Sequence, residues 1–327
     1  MTEILVIGEH TDGYLSQVSR ELLTAGCTLG NNISIALLGN NTSDAAADAI
    51  KYGADKVYLA RNKELDRPST DLKLSAYEQI CRQKHPLLVL ASRTQLGQDI
   101  GPRLAFRLGV GLAQDCLSVT IDPQTGRPLV TRPVHGGRIM AKVSFTGIGP
   151  NVVIIRKGAY DARVPADPNV GEIIDFPINI DPLSEKVHHI QTVASESRGV
   201  SLENASVIVA GGRGLGGPEP FTTTLADLAK LLGGNVGASR AACDAGWIDH
   251  NYQIGLTGKT VTPDLYITVG ISGASQHMAG CSGARCIVAI DKDSEANIFQ
   301  EASLGAVGDW KQILPSFIKT LEELLRS

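Results

Sequence analysis

Short unbroken runs of apolar residues alternate with amphipathic stretches over the first ninety positions of the chain. Ile4-Leu-Val-Ile7, Ile33 to Leu38, Val57-Tyr-Leu59 and Leu87 to Leu90 read as buried strands. Between them the spacing predicts a helix with Leu15, Val18, Leu22 and Leu23 on one face, an Ala-rich helix from Ser43 to Lys51, and a helix over 69–83. Continuous Val/Ile/Leu strands separated by helices specify a parallel sheet covered on both faces. After residue 110 the pattern changes. Positions 116–122, 128–132, 137–145 and 151–156 read as antiparallel strands appended to the same sheet, with Pro123-Gln-Thr-Gly126 as a hairpin turn.

Periodicity then fades. Residues 161–205 carry Pro165, Pro168, Pro177 and Pro182 and a polar run, so a domain boundary is expected near 185–205. Beyond it alternation resumes. A strand at Ala205–Ala210 runs into GGRGLGG (211–217), followed by a helix over 221–232 and the segment Asn235–Arg240. Next come a strand at Leu265–Val269, a helix starting near Ser272 with Ser272 and Ser275 as capping candidates, and a strand at Cys286–Ile290. The last helix is expected to begin at Pro315, with Phe317, Ile318, Leu321, Leu324 and Leu325 on its apolar face. The fold class is therefore α/β in two domains. An N-terminal domain, 1–190, has a mixed or parallel sheet with flanking helices, and a C-terminal domain, 203–327, has a Rossmann-like parallel sheet.

Composition narrows the function classes. The chain has 327 residues, enough for about two domains. It has 43% hydrophobic and 20% charged residues, the balance of a folded globular protein. The formal charge is 30 − 34 = −4 with 5% aromatic residues, so neither a basic stripe nor a stacking surface for nucleic acid is present. No apolar run is long enough to span a bilayer, and the acidic start is unlike a signal peptide, so a cytoplasmic location is expected. The six cysteines form no CxxC pair and are expected as buried thiols. Hydrolase constellations such as HExxH are absent.

The chemistry concentrates in the second domain. Gly212, Gly214 and Gly217 satisfy GxGxxG between a strand and a helix, the context in which backbone amides cradle a phosphate. An acidic residue to hold a ribose is missing from Asn235–Arg240, which disfavours NAD and leaves an NADP-binding oxidoreductase as the alternative. With Val269–His277 and Thr257-Gly-Lys259, three polar loops converge on one sheet edge and suit a long ligand with an anionic centre.

Five ordered blocks carry a resemblance: GASRAACDAGWI (237–248), IGLTGK (254–259), LYITVGISGASQHMAG (265–280), VAIDKDSEANIF (288–299) and GAVGDW (305–310). Together they resemble the FAD domain of the electron transfer flavoprotein alpha-subunit family, and the match spans 203–318. This resemblance implies a heterodimer with a beta subunit docked on the first domain, FAD held by the second, and electrons moved between acyl-CoA-type or other dehydrogenases and an acceptor rather than a substrate turned over. It also implies a second domain able to reorient on the 185–205 linker. Simple shuttles and bifurcating complexes are not separated by these residues. Arg213 and Ser239 match flavin-contacting positions, Arg240 the arginine beside the isoalloxazine, Thr257 the hydroxyl near N5, and His277 the histidine at the C2 carbonyl. Ile254, Gly255 and Leu256 belong to the Thr257 loop. Ser272, Gly273, Ala274, Ser275, Gln276, Asp291 and Asp309 match positions along the pyrophosphate, ribityl and adenosine parts, and Trp310 lies in the last block. Leu256 replaces a frequent glutamine, Cys281 a frequent methionine and Asp291 a frequent asparagine. Positive charge at Arg240 and His277 is expected to favour the one-electron-reduced flavin.

Overall fold

The structure is a computed structural model describing residues 3–30, 32–135, 139–147, 149–165, 170–181, 185–191 and 202–326. Of the expected boundary, positions 192–201 lie outside the described residues, as do Pro168, Pro182 and the start of the strand expected at 137. The chain divides into two compact units, Met1–Ala194 and Ser195–Ser327.

The first unit begins with β1 (Ile4–Ile7), a small hairpin of β2 (His10–Thr11) and β3 (Tyr14–Leu15), and α1 (Gln17–Cys27). It continues through β4 (Ile33–Leu38), α2 (Ser43–Lys51), β5 (Lys56–Ala60), α3 (Thr70–Lys84), β6 (Leu88–Ser92), α4 (Gln95–Leu108) and β7 (Leu112–Cys116). Then follow β8 (Ser118–Ile121), β9 (Pro128–Val134), β10 (Ile139–Ser144), β11 (Asn151–Ile155) and β12 (Glu172–Asp175). Seven strands form a sheet ordered β12-β5-β4-β1-β6-β11-β7 in which every neighbouring pair is parallel. Alternation along β1 feeds two cores: Ile4 and Val6 pack with Leu22 and Leu23 of α1, while Leu5 and Ile7 pack with Tyr77 of α3 and Leu104 of α4.

Three expectations are corrected here. Leu15 belongs to β3 rather than the helix, because Ser16 caps α1 by accepting the Ser19 amide on its hydroxyl. Only β8, β9 and β10 form an antiparallel sheet, and it is a separate one. Asn151–Ile155 is buried along its whole length, so it needs cover on both faces. It lies between β6 and β7, pairing Val152 with both Val89 and Leu112 in parallel.

The second unit runs β13 (Val207–Gly211), α5 (Glu219–Thr222), α6 (Thr224–Leu231), β14 (Asn235–Ser239), α7 (Arg240–Asp244) and β15 (Gln253–Ile254). It closes with β16 (Leu265–Val269), α8 (Ser275–Cys281), β17 (Cys286–Asp291), α9 (Ile298–Glu301), β18 (Leu304–Val307) and α10 (Trp310–Arg326). Its six strands are parallel, in the order β15-β14-β13-β16-β17-β18. The chain moves outward one way from β13, then returns to its other side at β16. The topological switch point is therefore the β13–β16 pair, whose carboxyl ends meet at Gly211 and Val269.

The expected helix over 221–232 is two helices, broken where Thr223 takes φ −116° and ψ −100°. The last helix starts at Trp310 and holds Pro315 inside it. Leu314 is buried and Phe317, Ile318 and Leu321 pack against the core, but Leu324 and Leu325 are 65% and 60% exposed, so the apolar face ends a turn early. Neither Ser272 nor Ser275 caps α8: Ala274 stands at that position and no side chain closes the helix. All six cysteines are free thiols, four of them buried. No helix among the described residues is long and apolar enough to cross a membrane.

Candidate functional site

A cleft of about 800 Å³ opens at the carboxyl edge of the second sheet, over the switch point. Four segments supply its walls: the turn after β13, the β14–α7 junction, the 253–257 loop, and the stretch from Gly270 into α8, with Asp291 at the end of β17. The structure brings together Arg213, Ser239, Arg240, Ile254, Gly255, Leu256, Thr257, Ser272, Ala274, Gln276, His277 and Asp291 on this wall. Gly273 and Ser275 are not on it. Gly273 has φ +78° and is pressed onto α9, where a Cβ would meet the Ile298 nitrogen at 2.2 Å. Asp309 and Trp310 line a smaller cavity of about 230 Å³, which shares Gly214, Gly270, Asp291 and Lys292 with the first.

The glycine-rich turn does something other than its motif suggests. The Gly212 amide donates to the Val269 carbonyl at 2.9 Å and the Gly214 amide to the Gly270 carbonyl at 3.0 Å. A Cβ on Gly212 would sit 2.0 Å from the Gly270 oxygen, and one on Gly214 would sit 2.8 Å from the Gly270 Cα. These two glycines let the turn after β13 lie directly on the turn after β16, and their amides are consumed in doing so. The expectation that they cradle a phosphate is corrected accordingly. Arg213, between them, still faces the cleft. The free donors are found elsewhere: no acceptor among the described residues meets the amides from Ser272 to Gln276, where α8 begins uncapped.

Loop 253–259 is held on α8 by backbone contacts. The Leu256 amide donates to the Gln276 carbonyl at 2.7 Å, and Gly255, at φ +144°, passes within 2.9 Å of the same oxygen at its Cβ position. Thr257 is oriented by Gln253, a buried residue that donates from Nε2 to Oγ1 at 3.0 Å while its Oε1 faces His250 Nδ1 at 3.0 Å. With that lone pair used, the Thr257 hydroxyl proton is free for another acceptor.

Arg240 is 66% exposed and pairs through Nε with Asp244 Oδ2 at 3.2 Å, so its charge is partly answered within α7. His277 is only 7% exposed. Its Nε2 lies 2.9 Å from the Tyr266 hydroxyl, and its buried Nδ1 has no hydrogen-bond partner among the described residues. Burial pulls the imidazole pKa down to about 4, with the Ile254 backbone acting in the opposite direction. The side chain is thus a neutral dipole, and the expected positive charge at His277 is corrected. Asp309 Oδ1 accepts the Lys311 amide at 3.0 Å and caps α10, while Asp291 Oδ1 accepts the Asp293 amide at 2.9 Å.

Sequence reasoning missed Gln253, Asp244, Lys292 and Tyr266. Asp244 and Lys292 stand inside the blocks already singled out, where an i,i+4 pairing with Arg240 and adjacency to Asp291 were readable. Nothing in the sequence shows that Tyr266, placed as a core strand residue, turns its hydroxyl to His277.

Comparison with known proteins fits this geometry. Residues 4–180 match the electron transfer flavoprotein domain, and residues 201–282 match the electron transfer flavoprotein FAD-binding domain. The chain is 39% identical to the electron transfer flavoprotein subunit alpha of Thermoanaerobacterium thermosaccharolyticum over 98% of each chain. It is 38% identical to that of Bacillus subtilis, again over 98% of each. To protein FixB of Clostridium saccharobutylicum it is 38% identical, over 98% of this chain and 97% of the relative. The chain belongs to the electron transfer flavoprotein alpha-subunit family, and FAD is the cofactor of its second unit.

Proposed function

We propose that this chain is the FAD-holding half of a two-subunit electron carrier, which pairs with a beta subunit, receives electrons from dehydrogenases and hands them to a downstream acceptor. One observation carries the reading: a long cleft at the switch point, with unsatisfied donors beside it. The donor set fits the cofactor. Consecutive free amides at 272–276 and the guanidinium of Arg213 suit an anionic centre. The adjoining smaller cavity beside Asp309 and Trp310 gives room for a second ring system.

Bound FAD supplies the redox chemistry, which the protein can only tune. Arg240 adds positive charge to the wall, moderated by Asp244. Thr257 offers a hydroxyl proton held ready by Gln253, and His277 faces the cleft as an uncharged group. Fixed dipoles of this kind need little reorganisation when an anion develops beside them. We assign the docking of the beta subunit to the first unit, where Ile139 and Met140 on β10 are each 55% exposed.

The test is an absorbance spectrum and a dithionite titration of the chain purified with its beta partner. A flavin spectrum that bleaches reversibly is expected. A colourless assembly that takes up no FAD on reconstitution, or one that retains NADP instead, sinks the proposal.

A further inference from the structure

We infer, resting on the FAD reading above, that Tyr266 is a positioning residue for His277: its phenol fixes the imidazole with the proton on Nδ1, so that the ring presents an N–H donor to the cofactor. Tyr266 is fully buried in the middle of β16, on the sheet face covered by Met278 and Cys281 of α8. A buried phenol needs a partner. It has His277 Nε2 at 2.9 Å, with the Cys281 thiol beside it.

The direction of the proton follows from the competing acceptors. Thiol sulfur is a weak acceptor, and the Cys281 S–H is itself aimed at the His277 carbonyl, 3.6 Å away. The unprotonated nitrogen of an imidazole is much the stronger acceptor, so the phenol donates to Nε2. A neutral imidazole carries one proton; with Nε2 accepting, that proton resides on Nδ1. Burial keeps the ring from taking a second. Among the described residues Nδ1 has no hydrogen-bond partner within bonding geometry, the Ile254 backbone being the one group besides Tyr266 that acts on the ring, and His277 lines the cleft, so the donor is left for the ligand. Without the phenol, Nε2 loses the donor that fixes the tautomer, and a lone pair can face the cofactor in place of a proton.

The experiment uses the full-length chain with its beta partner, first stripped of FAD and labelled with 15N-histidine, the His277 signals being those lost in His277→Gln. Near neutral pH, Nδ1 is expected protonated and Nε2 bare, and Tyr266→Phe is expected to move the proton toward Nε2. A wild-type proton on Nε2, or a ring unchanged in Tyr266→Phe, overturns the proposal. The second measurement adds FAD. Tyr266→Phe should weaken its dissociation constant roughly tenfold, equivalent to about 1.4 kcal/mol, and by less than twofold when placed in the His277→Gln background. Equal losses in both backgrounds make Tyr266 merely structural and overturn its role. The tautomer is read without FAD, so a failure of FAD to bind sinks the functional reading and leaves this assignment to be judged separately.

Discussion

Replacing Gly212 by alanine separates the packing role of the glycine turn from a ligand role. Gly212 has φ −112° and ψ −176°, which any residue adopts, so alanine meets no backbone strain there. The cost is contact. The new methyl lies 2.0 Å from the Gly270 oxygen and 2.7 Å from Ile271 Cγ1, so the turn after β16 must retreat by more than an ångström. Overpacking of this kind costs about 1–3 kcal/mol. The bond from the Gly214 amide to the same Gly270 oxygen is strained with it, adding about 1 kcal/mol. Restricting the unfolded chain returns about 0.4–1 kcal/mol, which leaves a net loss of roughly 1–3.5 kcal/mol. For a domain of this size that lowers the thermal midpoint by roughly 4–14 °C. Gly217→Ala is the control, since nothing lies within 4 Å of its Cβ position; its midpoint should be unchanged or slightly raised. Both melts are recorded by near-ultraviolet circular dichroism on FAD-free protein. If the two variants melt together without FAD and part only when FAD is added, the glycines serve the ligand and the packing account is wrong.

Arg240→Ala should lower the first one-electron potential of the bound flavin. A unit charge about 4 Å away in a water-like medium is worth about 1 kcal/mol. The 66% exposure and the Asp244 pair place the effect at that low end, roughly 40 mV, and an unchanged potentiometric titration removes the residue's role. For His277 the folded pKa, about 4, lies below the unfolded value near 6.5, so the unfolded chain binds the proton first. Stability from this group is complete above about pH 6.5 and lost as the pH falls toward 4, by about 3 kcal/mol in all. Denaturant titrations of His277→Gln across that window should show this slope removed, and a slope identical to wild type would contradict the buried neutral state. Asp309→Ala should cost about 1 kcal/mol of FAD-free stability through its lost cap, and an unaltered melt combined with lost FAD affinity would assign the side chain to the ligand instead.

The strands buried on both faces were legible because each is an uninterrupted apolar run; β1, β4 and β6 needed nothing more. Partner choice was not. Local hydrophobicity says that β11 is buried but not that it lies between β6 and β7, since hydrogen-bonding neighbours are set across tens of residues. β7 escaped because Gln114 and Asp115 interrupt its apolar pattern, and Asp115 takes φ +60° where the register shifts. β18 is four residues long and largely exposed. In the site, the ordered blocks named nearly the whole cleft wall. What they could not convey was which donors are already spent: Gly212 and Gly214 give their amides to the neighbouring turn, and Asp309 gives an oxygen to its own helix. Charge state was equally hidden, because the neutrality of His277 comes from how deeply α8 sinks it.

The insertion of β11 between two earlier strands has a consequence for the nascent polypeptide. β6 is complete at Ser92, yet the strand that covers its open side arrives only at Asn151, and among the described residues β7 has no other neighbour in the sheet. At about 5–20 residues per second of synthesis, an apolar strand edge stays bare on the ribosome for roughly 3–12 seconds. A chain arrested in that interval carries a ready template for illicit pairing, which makes the 92–151 stretch the window in which this subunit most depends on chaperones.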